Sequence, residues 1–140
     1  MMILGIDPGF TGALALYNPD QNTLVIGDMP TTTRRMSNKK LRTELNIPAI
    51  MDWFDRYLPV DERITAWVED PHALPKQGIT SAFRFGQVCG ALQAAVLAYG
   101  LPLHLVPPAT WKKAMGLSAD KVGCQHRASH LLPAHAHLWP

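Results

Sequence analysis

Apolar and polar positions alternate in a way that predicts a sheet followed by helix–strand units. Apolar runs at residues 2–6, 13–17 and 23–27 are separated by turn sequences, which predicts an antiparallel meander of three strands. Two further strands are predicted at residues 64–68 and 103–106.

Helices are predicted around the two later strands. Helical spacing of apolar residues indicates a helix at 47–58, capped by Asn46, and further helices are predicted at 80–99, 107–115 and 118–132. The polar and basic segment 31–42 shows no period and predicts a long exposed loop. Helical crossovers require later strands parallel to one another or to the first, so the predicted fold is α/β with a mixed five-stranded sheet flanked by helices.

The composition, 47% hydrophobic and 17% charged, indicates a single globular domain, and the net charge of +2 does not identify a partner. No apolar run reaches membrane-spanning length, so no membrane insertion is expected. Cys89 and Cys124 form no CxxC pair, and no signal peptide is evident. We therefore expect reduced thiols in a cytoplasmic protein.

Two acidic residues follow predicted strands. Asp7 ends the first strand and precedes the turn Pro8-Gly9-Phe10-Thr11-Gly12, whose glycines allow close approach to a phosphate or metal, although Asp-Pro-Gly is also ordinary turn chemistry. Glu69 ends the fourth strand, and ligands gather at such strand ends. Asp7 and Glu69 are therefore candidate Mg²⁺ ligands, whereas Asp70 should point the other way.

Basic residues and histidines form two further groups. Residues 34–42 hold five basic residues and no acid, which fits either a solvated loop or contact with phosphates. His126, His130, His135 and His137 lie near the end of the chain. A histidine could replace a metal ligand, but a solvated helix face followed by a disordered tail is favoured.

Several motifs together resemble the RuvC Holliday-junction resolvases. They are Ile3-Leu4-Gly5-Ile6-Asp7-Pro8-Gly9, Val68-Glu69-Asp70, Pro75-Lys76-Gln77-Gly78, Phe85-Gly86, Val106-Pro107-Pro108, Trp111-Lys112-Lys113 and Arg127-Ala128. The similarity covers residues 2–132, so the predicted organisation is a RuvC-like domain at 1–132 and a tail at 133–140.

The resemblance implies a ribonuclease-H-like fold and nicking of four-way DNA junctions in recombination and repair. It implies Mg²⁺ as cofactor, with Mn²⁺ as a substitute, and a homodimer, for which the helix at 81–99 offers a second apolar face. Asp7 and Glu69 match the family's first two catalytic, metal-binding acids. The candidate DNA-binding residues are Arg34, Arg35, Lys39, Lys40, Lys76, Lys112, Lys113 and Lys121.

The sequence departs from this family at its end. The family's remaining acids lie in a terminal helix with an Asp-rich pattern, whereas this sequence ends at Trp139-Pro140 and its only acids after Glu69 are Asp70 and Asp120. Asp120 is expected to cap a helix, so two of four ligands are missing. The alternative is therefore a protein that binds branched DNA but cleaves it poorly or not at all.

A remote alternative is an actin-like ATP-dependent kinase, because Asp7-Pro8-Gly9-Phe10-Thr11 fits the Asp-x-Gly-x-Thr turn that cradles ATP phosphates. Such proteins need two domains of this kind, and 140 residues supply one. Serine, cysteine and histidine form no recognisable nucleophilic group, so water is the expected nucleophile.

Overall fold

The computed structural model describes residues 1–73, 75–117 and 121–139, with the side chains of 121 and 122 outside the description. The described residues form seven strands: β1 Met2–Asp7, β2 Ala13–Asn18, β3 Thr23–Asp28, β4 Thr31–Arg35, β5 Leu41–Leu45, β6 Ile64–Glu69 and β7 Leu103–Val106. Five of them form one sheet in the order β3-β2-β1-β6-β7. The first three are antiparallel, and β1, β6 and β7 are parallel, which confirms the predicted mixed α/β sheet.

The described helices are α1 Ile47–Tyr57, α2 Ile79–Ala98, α3 Pro108–Ala114 and α4 Lys121–Leu131, followed by a short 3₁₀ helix at Pro133–Leu138. Asn46 caps α1 as predicted, since its side-chain oxygen accepts a hydrogen bond from the Ala49 amide at 3.1 Å. Gly100 and Gly116 follow α2 and α3 with φ of +83° and +67°, a conformation that favours glycine. Residues 118–120 lie outside the described residues, so the capping role of Asp120 stays a prediction.

The predicted loop at 31–42 is wrong, because β4 and β5 form an antiparallel hairpin there. Three consecutive β-branched threonines, Thr31 to Thr33, favour an extended chain. Arg34 is paired across the hairpin with Arg42, and the neighbouring Glu44 bonds to Arg34. The polar character of this segment therefore reflects a ribbon exposed to solvent and not an irregular loop.

The core lies between one face of the sheet and helices α1 and α2. Burial alternates along β1 and β6, and the buried positions face Phe54 of α1 and Leu92 of α2, both with no exposed area. The buried apolar residues of the sheet in this core are Met2, Leu4, Ile6, Leu14, Leu16, Ile64, Ala66 and Val68. Because side chains alternate along a strand, Asp7 and Glu69 lie on the other face of the sheet.

The other face is less completely covered. Ile3 and Trp67 on this face are 37% and 43% exposed, and the Trp67 ring stacks on His104 at a centroid distance of 4.5 Å. The expected disordered tail is wrong, because Pro133–Leu138 form the 3₁₀ helix, in which His135 Nε2 lies 2.9 Å from the Asn22 carbonyl oxygen. None of the helices in the described ranges has both the length and the apolar character needed to cross a membrane.

Candidate metal and nucleic-acid site

The structure brings Asp7 and Glu69 to neighbouring strand ends. The parallel register of β1 and β6 pairs Ile6 with Val68, so the next residue on each strand is one of the two acids. Neighbouring strands lie about 4.8 Å apart, and both side chains project from the same face. The predicted adjacency of the two strand ends is therefore observed, whereas the role of the two carboxylates as ligands stays a prediction.

The turn after Asp7 has a shape that only glycine allows at two positions. Gly9 has a φ of +138°, and a Cβ atom at Gly12 would overlap the backbone carbonyl of Asp7. The Gly12 amide donates to the Gly9 carbonyl at 3.2 Å, and its own carbonyl accepts from the amide of buried Met29. These bonds fix the turn, and with it the backbone of Asp7, against the end of β3.

Glu69 has a neutral hydrogen-bond donor from α3. The Trp111 indole Nε1–H donates to Glu69 Oε2 at 2.6 Å. Helix α3 begins just after β7, whose Val106 carbonyl accepts from the Asp70 amide at 2.9 Å. Sequence reasoning missed this contact, although Trp111 was part of a motif, because no local pattern pairs residues 42 positions apart.

The negative charges of Asp70 and Glu69 both act on a thiol of helix α2. Burial, followed by the negative charge of Asp70, raises the pKa of the Cys89 thiol on α2. Cys89 is therefore a protonated, unreactive thiol at neutral pH. Glu69 also contributes to this effect on Cys89, so the expected divergence of Asp70 from Glu69 stays a prediction.

The donor set fits a divalent cation that is completed by water and phosphate. Mg²⁺ commonly takes one or two protein carboxylates and fills its other positions with waters and substrate oxygens. Within the ranges that the structure describes, no three or more histidine, cysteine, aspartate or glutamate side chains form a group that could hold a metal. The histidines near the chain end therefore add no such cluster there, and His130 instead lies 3.5 Å from the Arg127 guanidinium.

The predicted DNA-binding residues fall in several places. Lys39 and Lys40 are exposed at the tip of the β4–β5 hairpin, and Arg35 is on the ribbon face opposite Arg34. Lys112 and Lys113 belong to α3, the helix that contacts Glu69. Lys76 is exposed in the 71–78 loop, where residue 74 is outside the described ranges, as is the side chain of Lys121.

Arg34 is held by Glu44. The Arg34 Nε and Nη2 atoms donate to the Glu44 carboxylate at 2.8–3.1 Å, a bidentate arrangement. This hydrogen bond raises the pKa of Arg34 and lowers that of Glu44. Arg34 therefore already has an anionic partner in the protein.

Arg42, Arg84 and Phe10 join this pair around a pocket of about 340 Å³. Arg84 of α2 donates through Nη2 to the Thr43 carbonyl at 2.9 Å, and its guanidinium lies 5.4 Å from the centre of the Phe10 ring. Sequence reasoning placed Arg42 in the basic run but missed Arg84. The signal that was available, an arginine near the start of a largely apolar helix, does not reveal its partner on a hairpin 41 residues away.

Comparison with known proteins agrees with the fold. No protein-family model matches the sequence, and no curated protein matches it. Among solved structures, RuvC of T. thermophilus in complex with a Holliday junction substrate has a TM-score of 0.61 and 17% identity, covering 95% of this chain and 79% of that chain. A second Thermus thermophilus RuvC structure has a TM-score of 0.56 and 18% identity, covering 95% and 81%. The chain therefore has a RuvC-like fold, the ribonuclease-H-like α/β architecture that its motifs predicted.

Proposed function

We propose that the protein binds branched DNA and cleaves it as a divalent-metal-dependent endonuclease. One observation carries this proposal: Asp7 and Glu69 end neighbouring parallel strands on one face of a RuvC-like fold. The T. thermophilus RuvC with the same fold was solved with a Holliday junction substrate. A four-way junction is accordingly the proposed substrate of this chain.

Asp7 and Glu69 would hold the cation, Mg²⁺ or Mn²⁺. When bound, such an ion polarises a phosphate and lowers the pKa of a coordinated water. The protein residues fix the geometry: the Gly9–Gly12 turn holds the backbone of Asp7, and the Trp111 indole orients the Glu69 carboxylate. Trp111 is thus a positioning residue, comparable to the outer hydrogen bonds that orient metal ligands elsewhere.

The lysines of α3 and of the hairpin tip supply the electrostatic attraction. Lys112 and Lys113 follow Trp111 directly on α3, and the Lys112 ammonium lies 5.5 Å from the centre of the Trp111 ring. Lys39 and Lys40 extend from the sheet on the hairpin tip. Each phosphate contact would add affinity that falls with salt concentration.

A second candidate is a protein that binds branched DNA with little cleavage. It is favoured because the described residues contain no group of three or more histidine, cysteine, aspartate or glutamate side chains that could hold a metal ion. Two carboxylates without further protein ligands leave most of the coordination to water and substrate, which weakens metal binding. The two candidates share the DNA substrate and differ in turnover.

A nicking assay separates the candidates. A synthetic four-way junction is incubated with the protein and Mg²⁺ or Mn²⁺, alongside Asp7→Asn and the control Asp61→Asn, which alters an exposed acid before β6. Metal-dependent nicks that Asp7→Asn abolishes and Asp61→Asn retains support the endonuclease. Junction binding without nicks by the wild type overturns the endonuclease and supports the second candidate.

A further inference from the structure

We infer that Arg34, Arg42 and Arg84 form a phosphate-binding pocket separate from the carboxylate pair. The pocket is inferred from its geometry alone. Its assignment to a phosphate of the bound DNA strand rests on the proposed function.

The pocket is built from three elements that meet beside the turn after Asp7. The hairpin supplies Arg34 and Arg42 as a directly opposed pair, and helix α2 supplies Arg84. Phe10 lies at the base, partly buried against the core, with the Arg84 guanidinium over its ring. The volume of about 340 Å³ falls in the range of small ligand sites.

The charges in the pocket are not balanced. Three guanidinium groups surround one carboxylate, Glu44, which leaves a formal charge of +2. Arg34 takes both Glu44 oxygens, whereas Arg42 Nε is 3.6 Å from Oε1, too far for a hydrogen bond. In the described part of the chain, the buried Nε atoms of Arg42 and Arg84 have no hydrogen-bond partner.

Glu44 neutralises this arrangement only in part, because Arg34 and Arg42 share its one carboxylate. Like charges directly opposite each other in an antiparallel ribbon are destabilising, and Arg34 and Arg42 are such a pair. Arg84 is nevertheless fixed in place by the Thr43 carbonyl and the Phe10 ring. Cations that are held in position and incompletely neutralised are preorganised for an incoming anion.

Phosphate is the anion that fits best. Planar guanidinium groups offer parallel N–H donors that match the oxygens of phosphate, and they keep their charge at any physiological pH. The Phe10 ring adds an apolar surface beside the anion, as a sugar or base attached to the phosphate would need. A nucleic-acid or nucleotide phosphate therefore suits the pocket better than a carboxylate.

The position of Phe10 relates the pocket to the candidate cleavage site. Phe10 is three residues after Asp7 in the same turn, so their Cα atoms lie within about 11 Å. Asp7 and Glu69 lie on the sheet face opposite α2, so a DNA strand with one phosphate at these acids would have to pass the turn after Asp7 to place another phosphate near the arginines. The pocket would then hold the strand in register during cleavage.

The test uses the arginine Nε–H signals in NMR spectra of the full chain without divalent metal. Inorganic phosphate is titrated first, and saturable shifts of the Arg34, Arg42 and Arg84 signals are expected. Arg84→Gln should weaken this binding about tenfold, whereas Arg56→Gln, an exposed arginine on α1, should change it less than about twofold. Absence of saturable shifts, or equal weakening by both variants, overturns the pocket.

A second variant keeps the inference testable if Arg84→Gln fails to fold. Glu44→Gln removes the competing negative charge while keeping a hydrogen-bond acceptor for Arg34, so phosphate should bind several-fold more tightly. If the arginines serve only to hold Glu44, this variant gains no affinity. That result would contradict the inference.

Further titrations distinguish the source of the phosphate. Short single-stranded DNA should compete with inorganic phosphate for the Arg84 signal, also in Asp7→Asn, which separates this site from the carboxylate pair. Binding of phosphate or a mononucleotide without competition by DNA supports the pocket and overturns its assignment to a DNA strand. If the wild-type protein binds phosphate at the arginines but does not nick the junction, this result contradicts only the proposed endonuclease activity and not the pocket.

Discussion

The Trp111 indole donates a hydrogen bond to Glu69 Oε2 at 2.6 Å and links helix α3 to the end of strand β6. Trp111 is three residues after the start of α3, and Glu69 is the last residue of β6. The bond leaves the other carboxylate oxygen, Oε1, for a second partner. It therefore sets the orientation in which Glu69 would meet a cation.

Trp111→Phe should weaken divalent-metal binding about tenfold, because a smaller aromatic ring remains but the N–H donor is lost. Its effect on the free energy of unfolding should be limited to about 1.5–3 kcal/mol, the usual range for a hydrogen bond to a charged group. Calorimetric titration with Mn²⁺ measures the first quantity and urea unfolding the second. An unchanged Mn²⁺ affinity would show that Trp111 does not position Glu69.

Divalent cations should stabilise the wild-type protein through Asp7 and Glu69. At a free cation concentration ten times the dissociation constant, the expected gain is about 1.4 kcal/mol. Thermal unfolding with and without Mn²⁺ measures it. Asp7→Asn should lose the gain and Asp61→Asn should keep it, and an equal gain in both variants would place the cation elsewhere.

Gly12→Ala should destabilise the fold by about 1–3 kcal/mol, because its Cβ would overlap the Asp7 carbonyl. Gly5→Ala is the matched control within β1. Its Cβ would meet the Ala15 carbonyl oxygen at 3.9 Å, an ordinary contact. The urea midpoints of the two variants test this difference, and similar midpoints would contradict the described turn.

The hairpin should lose order in acid. The hydrogen bond from Arg34 lowers the pKa of Glu44 from its usual value of 4.5. Because the folded pKa is the lower one, the stabilisation is fully present above about pH 4.5 and is lost as the pH falls through the folded pKa. The Arg34 Nε–H signal, followed by NMR from pH 6 to pH 3, should broaden below pH 4.5 in the wild type. A Glu44→Gln protein with the same acid transition would contradict this assignment.

Local patterns predicted most of the sheet and the packed helices. The strands β1, β2 and β6 carry alternating buried positions, and α1 carries Ile50 and Phe54 at helical spacing, so period alone identifies them. Strands β4 and β5 were not predicted, because their segment is polar and basic and shows no alternation of apolar and polar positions. Their order depends on a cross-strand contact between Arg34 and Glu44, which no local pattern contains.

The prediction of the site was also limited by contacts between residues that are far apart in the sequence. Asp7 and Glu69 could be predicted to meet, because both end strands that topology places in parallel. Trp111 with Glu69, and Arg84 with Thr43, are contacts between residues more than forty positions apart. Such contacts depend on how α3 and the hairpin dock, and packing geometry sets this only in the folded chain.

The central claim is that the protein recognises branched DNA, and equilibrium binding tests it most directly. A four-way junction and a linear duplex with the same arm sequences are titrated with the Asp7→Asn variant, which is expected not to cleave them. Because both titrations use one fixed salt concentration, a difference in affinity reports recognition of DNA shape and not general attraction to phosphates. The account predicts that the junction binds at least about tenfold more tightly than the duplex. Equal affinity for the two DNA forms would contradict it.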